Sequence, residues 1–242
     1  DAFESGDCFD SQFQSVTERF DDQVRSSKNA VAIIDSNRTF TYLELDRWSR
    51  NIASQLQKAG LNSGDFVALT GSRSGATIAA MLGVTRAGGC FVPIESDLPS
   101  DRINAQLACA RPRFAIGPDF GQFSSCNVEA WIDPTFVESE GNDPVEAPEI
   151  GLNSPFYSMF TSGTTGEPRG AVIPHRAILR LVEDAWFLPN GPGFKMLHAA
   201  PLAFDASTLE IWWTILNGGS VVCWEGVGAD LQGMSDRIRR ER

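Results

Sequence analysis

The residues of this chain best suited to chemistry lie in Tyr157 to Gly170, YSMFTSGTTGEPRG. A β-prone run, Phe156 to Phe160, breaks into a loop, and Thr161 to Pro168 holds four hydroxyl-bearing residues and two glycines. Glycine lets backbone N–H groups approach a ligand and turn inward. Ser and Thr hydroxyls add rotatable donors, and Arg169 contributes a permanent charge with a forked donor face. That composition suits a phosphate. It also suits a flexible surface connection, and the flanks separate the two readings. Strand-like segments on both sides, Phe156 to Phe160 and Ala171 to Pro174, predict a loop anchored in a sheet. Neither a Walker GK[ST] ending nor a GxGxxG fingerprint occurs in the chain.

The second chemical position is Asp205, in PLAFDASTLEIWWTILNGG. Ser207 and Glu210 have capping-box spacing and predict a helix ending at Asn217-Gly218, which puts Asp205 on a strand-to-helix turn. An aspartate there can cap the helix. Set among Pro201, Leu202, Ala203 and Phe204, the same carboxylate can instead neutralise an ammonium ion brought by a ligand. His175 fits a structural place at a helix N-terminus; His198 reads either as a satisfied core histidine or as a group near substrate. Asp21 and Asp22 read as part of a polar helix face. No GxSxG elbow and no HExxH helix are present.

TSGTTGEPRG resembles the phosphate-binding signature of the adenylate-forming superfamily, usually TSG[ST]TGxPKG, with Arg169 where the family generally has Lys. Charge survives that change, but reach and geometry do not. FTYLELDRWSRNIASQLQKAGL and TRAGGCFVPIESDLPSDRI are similar to two earlier blocks of the family, the second usually KAGxAYVPxDPxxPxxR. FDASTLEIWWTILNGG is similar to the block found in nonribosomal peptide synthetase adenylation domains. The resemblance implies that Thr161, Ser162, Gly163, Thr164, Thr165, Gly166 and Arg169 hold ATP phosphates, with Thr161 and Arg169 catalytic. It implies that Asp205 binds the substrate α-ammonium while Ala206 and Leu209 line the side-chain pocket. Acyl- and aryl-activating relatives commonly lack that Asp.

The implied reaction is ATP-dependent formation of an aminoacyl-adenylate and its transfer to a phosphopantetheine thiol. ATP and Mg²⁺ are the implied cofactors, the Mg²⁺ ligand being expected outside this stretch. The implied partners are an amino acid, a peptidyl carrier domain carrying phosphopantetheine, and the remainder of the adenylation domain. The family's adenine block, Mg²⁺ ligand, ribose-binding Asp and C-terminal domain are not found in the chain, so the stretch alone is expected to be incompetent. An acyl- or aryl-CoA synthetase-like ligase and a non-catalytic nucleotide-binding module are the alternatives.

The elements that must position these residues alternate. Phe9, Phe13, Val16, Phe20 and Val24 recur at helical spacing, Ala30 to Asp35 reads as a strand, and the Ser36-Asn37 turn leads to Thr41. Thr41 and Glu44 form a capping-box pair ahead of a helix closed by Gly60. Strands follow at Phe66 to Thr70, Cys90 to Ile94 and Arg113 to Gly117, with helices at about Ser74 to Ala87 and Ser100 to Ala110. Further on, a helix is read at His175 to Trp186 and strands at Lys195 to Pro201 and Ser220 to Trp224. The pattern predicts an α/β fold of parallel-sheet layers with flanking helices. By resemblance this is the first part of the large N-terminal domain of an adenylate-forming enzyme, with the C-terminal domain absent. Residues 1–118 read as its first α/β part, 119–153 as a solvated connector, and 154–242 as the phosphate-loop and substrate-pocket part.

The 242 residues carry 31 acids against 20 bases, net charge −11, which argues against nucleic acid or an anionic membrane as partner. Five scattered cysteines without a CxxC pair fit a reducing, cytoplasmic setting. The acidic start has no apolar core, so no signal peptide is expected, and no apolar run approaches membrane-spanning length.

Overall fold

The computed structural model describes residues 11–36, 38–119, 127–136, 148–161, 168–184, 188–189, 191–224, 226 and 230–241. Its strands form two sheets. The smaller is built on a hairpin of β1 (Val31–Ile34) and β2 (Thr39–Thr41); β1 pairs in parallel with β10 (Ser220–Cys223), and β10 with β9 (Lys195–His198). The larger contains β3 (Phe66–Leu69), β4 (Cys90–Pro93), β5 (Phe114–Ile116), β6 (Ala130–Ile132), β7 (Pro155–Thr161) and β8 (Arg169–Pro174). Its order is β6-β5-β3-β4-β7-β8, parallel throughout except for the antiparallel edge strand β8. Both sheets therefore draw strands from either side of residues 119–153.

Side-chain alternation along the large sheet divides the core between its faces. Val67, Leu69, Phe91, Phe114 and Ile116 enter one large cluster with the helices, whereas Ala68, Val92 and Ala115 point the other way, onto Ile103 and Leu107 of α4 (Ser100–Ala110). The large cluster also takes Ala32 and Ile33 of β1 and Val221 of β10, so it fills the space between the two sheets. Helices α1 (Val16–Ser27), α2 (Tyr42–Lys58), α3 (Gly75–Arg86) and α5 (His175–Asp184) lie there. α3 is apolar on nearly every side, GATIAAMLGVTR, and is buried along its whole length except Ala76. It can pass close to α2 because position 83 is glycine: a Cβ there would stand 2.5 Å from Ile52 Cγ2. The layered α/β architecture expected from the alternating pattern is the one observed.

Local signals carry α2. Glu44 N–H donates to Thr41 Oγ1 (3.2 Å) and Thr41 N–H to Glu44 Oε2 (2.8 Å), the reciprocal box read from the sequence. Gly60 follows the helix with φ 89°. Elsewhere the tertiary structure overrides the sequence reading. α1 begins only after Ser15, whose hydroxyl caps Glu18 N–H; Phe13 is buried ahead of the helix, and Phe9 lies outside the described residues. Asp21 is not merely part of a polar face. Its Oδ1 accepts from Arg86 Nη2 (2.6 Å) and Arg50 Nη2 (3.4 Å), closing a network that includes Asp46. The connector, too, is partly regular: Ala130–Ile132 adds β6 to the sheet edge, three residues being too short to show a period. Phe136 then meets Trp48 edge-on at 5.1 Å, and Trp48 Nε1 donates to Pro134 O (2.8 Å).

His175 shows how α5 is tied to α1. Its Nδ1 accepts from Val16 N–H (3.1 Å), a donor at the first turn of α1 without a helical partner, and its ring meets Phe156 edge-on at 4.9 Å. Burial pushes the His175 imidazole down to about 4, because charging it would strand a cation in an apolar setting. The unfolded chain, with an ordinary histidine, binds the proton more readily. Stability is thus complete above the ordinary value of 6.5 and is lost as pH falls from there to about 4. His175→Asn, whose amide oxygen can take the same N–H, is expected to remove this step, worth up to about 3 kcal/mol. Urea unfolding midpoints of the two chains between pH 7 and pH 4 would show it.

Candidate functional site

The glycine loop closes a β-hairpin. β7 carries the apolar run to Thr161, β8 leaves from Arg169, and these two residues stand opposite one another in the antiparallel ladder. The flanking strands expected from the sequence are therefore both present, and they hold the loop at its base. Ser162, Gly163, Thr164, Thr165 and Gly166 lie outside the described residues, as does the side chain of Thr161. Arg169 is exposed on the edge strand.

Beside this hairpin lies a cavity of about 540 Å³. Met159 and Phe160 of β7 and Ala171 and Ile173 of β8 form one wall, and Leu98, Arg102 and Gln106 from α4 and the turn before it form another. Ala203, Phe204 and Asp205 close the third side, joined by Tyr157 and Glu95. Asp205 and the strands bearing the glycine loop thus share one cavity, although 36 residues separate Asp205 from Arg169. Asp205 is solvent-exposed at the rim. Ala206 is exposed and Leu209 packs against the main core, so neither lines this cavity.

The turn carrying Asp205 is built differently from the sequence expectation. Ser207 and Glu210 do not form a capping box. Asp205 is itself the first residue of α6 (Asp205–Thr208), Phe204 occupies the cap position, and no side chain caps the helix. Ser207 Oγ donates instead to Leu202 O (3.1 Å) and Phe204 O (2.7 Å). Glu210 Oε2 accepts from Ala199 N–H and Ala200 N–H, each at 3.0 Å, and from His198 Nδ1 at 2.8 Å. Those donors, on the turn leaving β9, outcompete the helix start for Glu210. The helix continues as a π segment, Leu209–Trp213, before α7 (Thr214–Leu216). Such segments re-aim side chains and recur at functional sites.

Three lining residues went unread in the sequence. Glu95 Oε1 accepts from Ala203 N–H (2.9 Å). Gln106 is 7% exposed, and among the described residues its Oε1 has no hydrogen-bond partner. Burial raises the Tyr157 phenol above its ordinary value; a bond to the Thr208 side chain opposes the shift, and the Asp205 carboxylate adds to it. Nothing in local spacing marks these residues, and the partners of Glu95 and Tyr157 lie on segments distant in the chain. Among the described residues, no helix is long and apolar enough to cross a membrane.

A family model described as AMP-binding enzyme matches residues 20–242. Malpibaldin synthetase of Mortierella alpina is 34% identical over 242 residues, covering 93% of this chain and 4% of that protein. Cyclosporin synthetase simA of Tolypocladium inflatum is 36% identical over 221 residues, covering 86% of this chain and 1% of that protein. The chain thus spans a small part of these relatives. Among solved structures, the N-terminal subdomain of Klebsiella oxytoca NpsA in complex with 3-hydroxybenzoyl-AMSN matches with a TM-score of 0.82 and 28% identity, over 95% of this chain and 58% of that one. The AMPPNP-bound form of the nonribosomal peptide synthetase FmoA3 matches with a TM-score of 0.85 and 26% identity, over 98% of this chain and 26% of that one. With the family model spanning most of the chain and the fold matched by these solved structures, the chain belongs to the AMP-binding enzyme family.

Proposed function

We propose that these 242 residues form the N-terminal portion of an adenylation domain that activates an amino acid with ATP for a carrier-protein phosphopantetheine. The observation that carries this reading is the cavity shared by Asp205 and the strands of the phosphate-loop hairpin. In this reading Thr161, the loop that follows it and Arg169 hold the ATP phosphates, and Asp205 holds the substrate ammonium. The substrate carboxylate then attacks the α-phosphorus in line and pyrophosphate leaves. Positioning and charge stabilisation carry the rate, and no covalent intermediate with the protein is required. The relatives named as synthetases, and the neighbour with AMPPNP bound, support it.

Mg²⁺, bound with ATP, shares the phosphate charge in such reactions. Among the described residues, no three His, Cys, Asp or Glu side chains converge to hold a metal. Its protein ligand is proposed to lie elsewhere, as are the carrier domain and the rest of the adenylation domain. A cytoplasmic setting fits the free thiols Cys90 and Cys109.

Exchange of labelled pyrophosphate into ATP, measured on an adenylation-competent protein carrying this chain and supplied with amino acids in turn, tests the reading. A second reading, activation of an aryl acid, takes its support from the 3-hydroxybenzoyl compound held by NpsA. That group brings no ammonium ion for Asp205. Exchange driven by aryl acids alone would establish the second reading and remove the first. In either case Arg169→Ala is expected to weaken ATP binding by roughly 1.5–3 kcal/mol, the worth of a charge-assisted contact. The KM for ATP in the same assay reads this directly.

A further inference from the structure

Glu95 lies at the carboxyl end of β4, the strand that pairs with β7 beneath the phosphate-loop hairpin. Its carboxylate reaches out of the large sheet and accepts the N–H of Ala203, two residues before Asp205. The turn that receives this bond leaves β9, a strand of the small sheet. The Glu95 side chain therefore ties the sheet that carries the loop to the turn that carries Asp205. The other end of the same turn is held by Glu210, which accepts the N–H groups of Ala199 and Ala200. Between these two clamps the chain has little freedom, and Asp205 leaves the second one directly.

We propose that Glu95 is a positioning residue for the adenylation reaction: by bonding Ala203 N–H it sets the distance between the ammonium-binding carboxylate of Asp205 and the phosphate loop. The role rests on the reading of Asp205 as the ammonium ligand. The physical reason is the steep dependence of an in-line attack on placement. The substrate is held at one end by Asp205 and must present its carboxylate at the other end to a phosphorus held by the loop, so slack in the Ala203 turn becomes misplacement of the attacking oxygen. Glu95 and Ala203 are half-buried, in a cavity lined largely by apolar side chains. What matters in this role is the acceptor oxygen, not the charge.

That distinction sets the test. Glu95→Ala removes the acceptor; Glu95→Gln keeps an oxygen at the same reach. Amide exchange at Ala203, followed by NMR in the 242-residue chain, is expected to accelerate at least tenfold in Glu95→Ala and to stay near the parent rate in Glu95→Gln. In the pyrophosphate exchange assay, Glu95→Ala is expected to raise the amino-acid KM roughly tenfold and leave the ATP KM within about twofold, with Glu95→Gln recovering most of the loss. Unchanged Ala203 exchange in Glu95→Ala overturns the proposal. So does a parallel rise in both KM values, or a Gln variant as impaired as Ala. If no amino acid supports pyrophosphate exchange while Ala203 still responds to Glu95→Ala, the amino-acid reading has failed and the positioning role falls with it, leaving a structural strut.

Discussion

Replacing Asp205 with alanine is expected to lower amino-acid-dependent pyrophosphate exchange by about two to three orders of magnitude, while ATP binding changes less than about twofold. Truncating one partner of a buried, hydrogen-bonded charge pair costs about 2–5 kcal/mol, and each 1.4 kcal/mol is about tenfold. The full effect requires that Asp205 and the ammonium be shielded from water when substrate is bound. In the 242-residue chain Asp205 is exposed at the cavity rim. There the same substitution is expected to change amino-acid binding by no more than about 1 kcal/mol, the worth of a screened pair. Comparing the chain with a longer, competent protein separates the charge itself from its desolvation. Asp205→Asn keeps an acceptor without charge and is expected to recover only a minor part of the rate. Full activity in Asp205→Ala would refute the ammonium role outright.

The largest expected loss of stability follows Arg86→Ala. Arg86 closes α3, its side chain 5% exposed, and donates to Ser49 Oγ (2.9 Å), Asp21 Oδ1 (2.6 Å) and Asp46 Oδ1 (2.6 Å), with Phe20 under the guanidinium at 5.5 Å. Removing it leaves Asp46, whose side chain is 12% exposed, supported among the described residues by Arg50 alone, and opens a void between α1, α2 and α3. A broken buried pair typically costs about 3–5 kcal/mol, a large share of the roughly 5–15 kcal/mol by which a domain is stable. Urea unfolding monitored by tryptophan fluorescence is expected to show a lower midpoint with an unchanged slope. Arg86→Lys restores the charge but neither the fork nor the stacking, and most of the loss should persist. The double variant Asp46→Leu, Arg86→Met is expected to lose less than the sum of its single changes, because an apolar pair of similar volume leaves no uncompensated charge.

Two capping-box patterns show where sequence reading held and where it did not. Thr41 and Glu44, and Ser207 and Glu210, have the same spacing ahead of apolar runs. The first pair bonds reciprocally because, among the described residues, nothing else competes for Glu44 except the exposed Arg38. The second does not, because folding brings His198 and two unpaired N–H groups of the β9 turn to Glu210. Asp21 is a similar case. Its helix face is polar along the sequence, yet its strongest partner, Arg86, lies 65 residues away on a helix that packs against it. Strand β6 was unreadable for another reason, its three residues offering no period to detect.

From its residue order alone, this chain determines its helices and most of its strands, the hairpin that bears the glycine loop, and the family to which it belongs. These depend on apolar spacing, β-prone runs and glycine placement over short stretches, which act whatever the rest of the chain does. Only the tertiary structure decided that Asp205 opens onto a cavity walled by β7 and β8, that Glu95 reaches Ala203 across 108 residues, and that Glu210 grips a turn instead of a helix end. Those contacts join segments far apart in sequence, and a hydrogen bond forms with whichever donor the packing brings within about 3 Å, a choice no local pattern encodes.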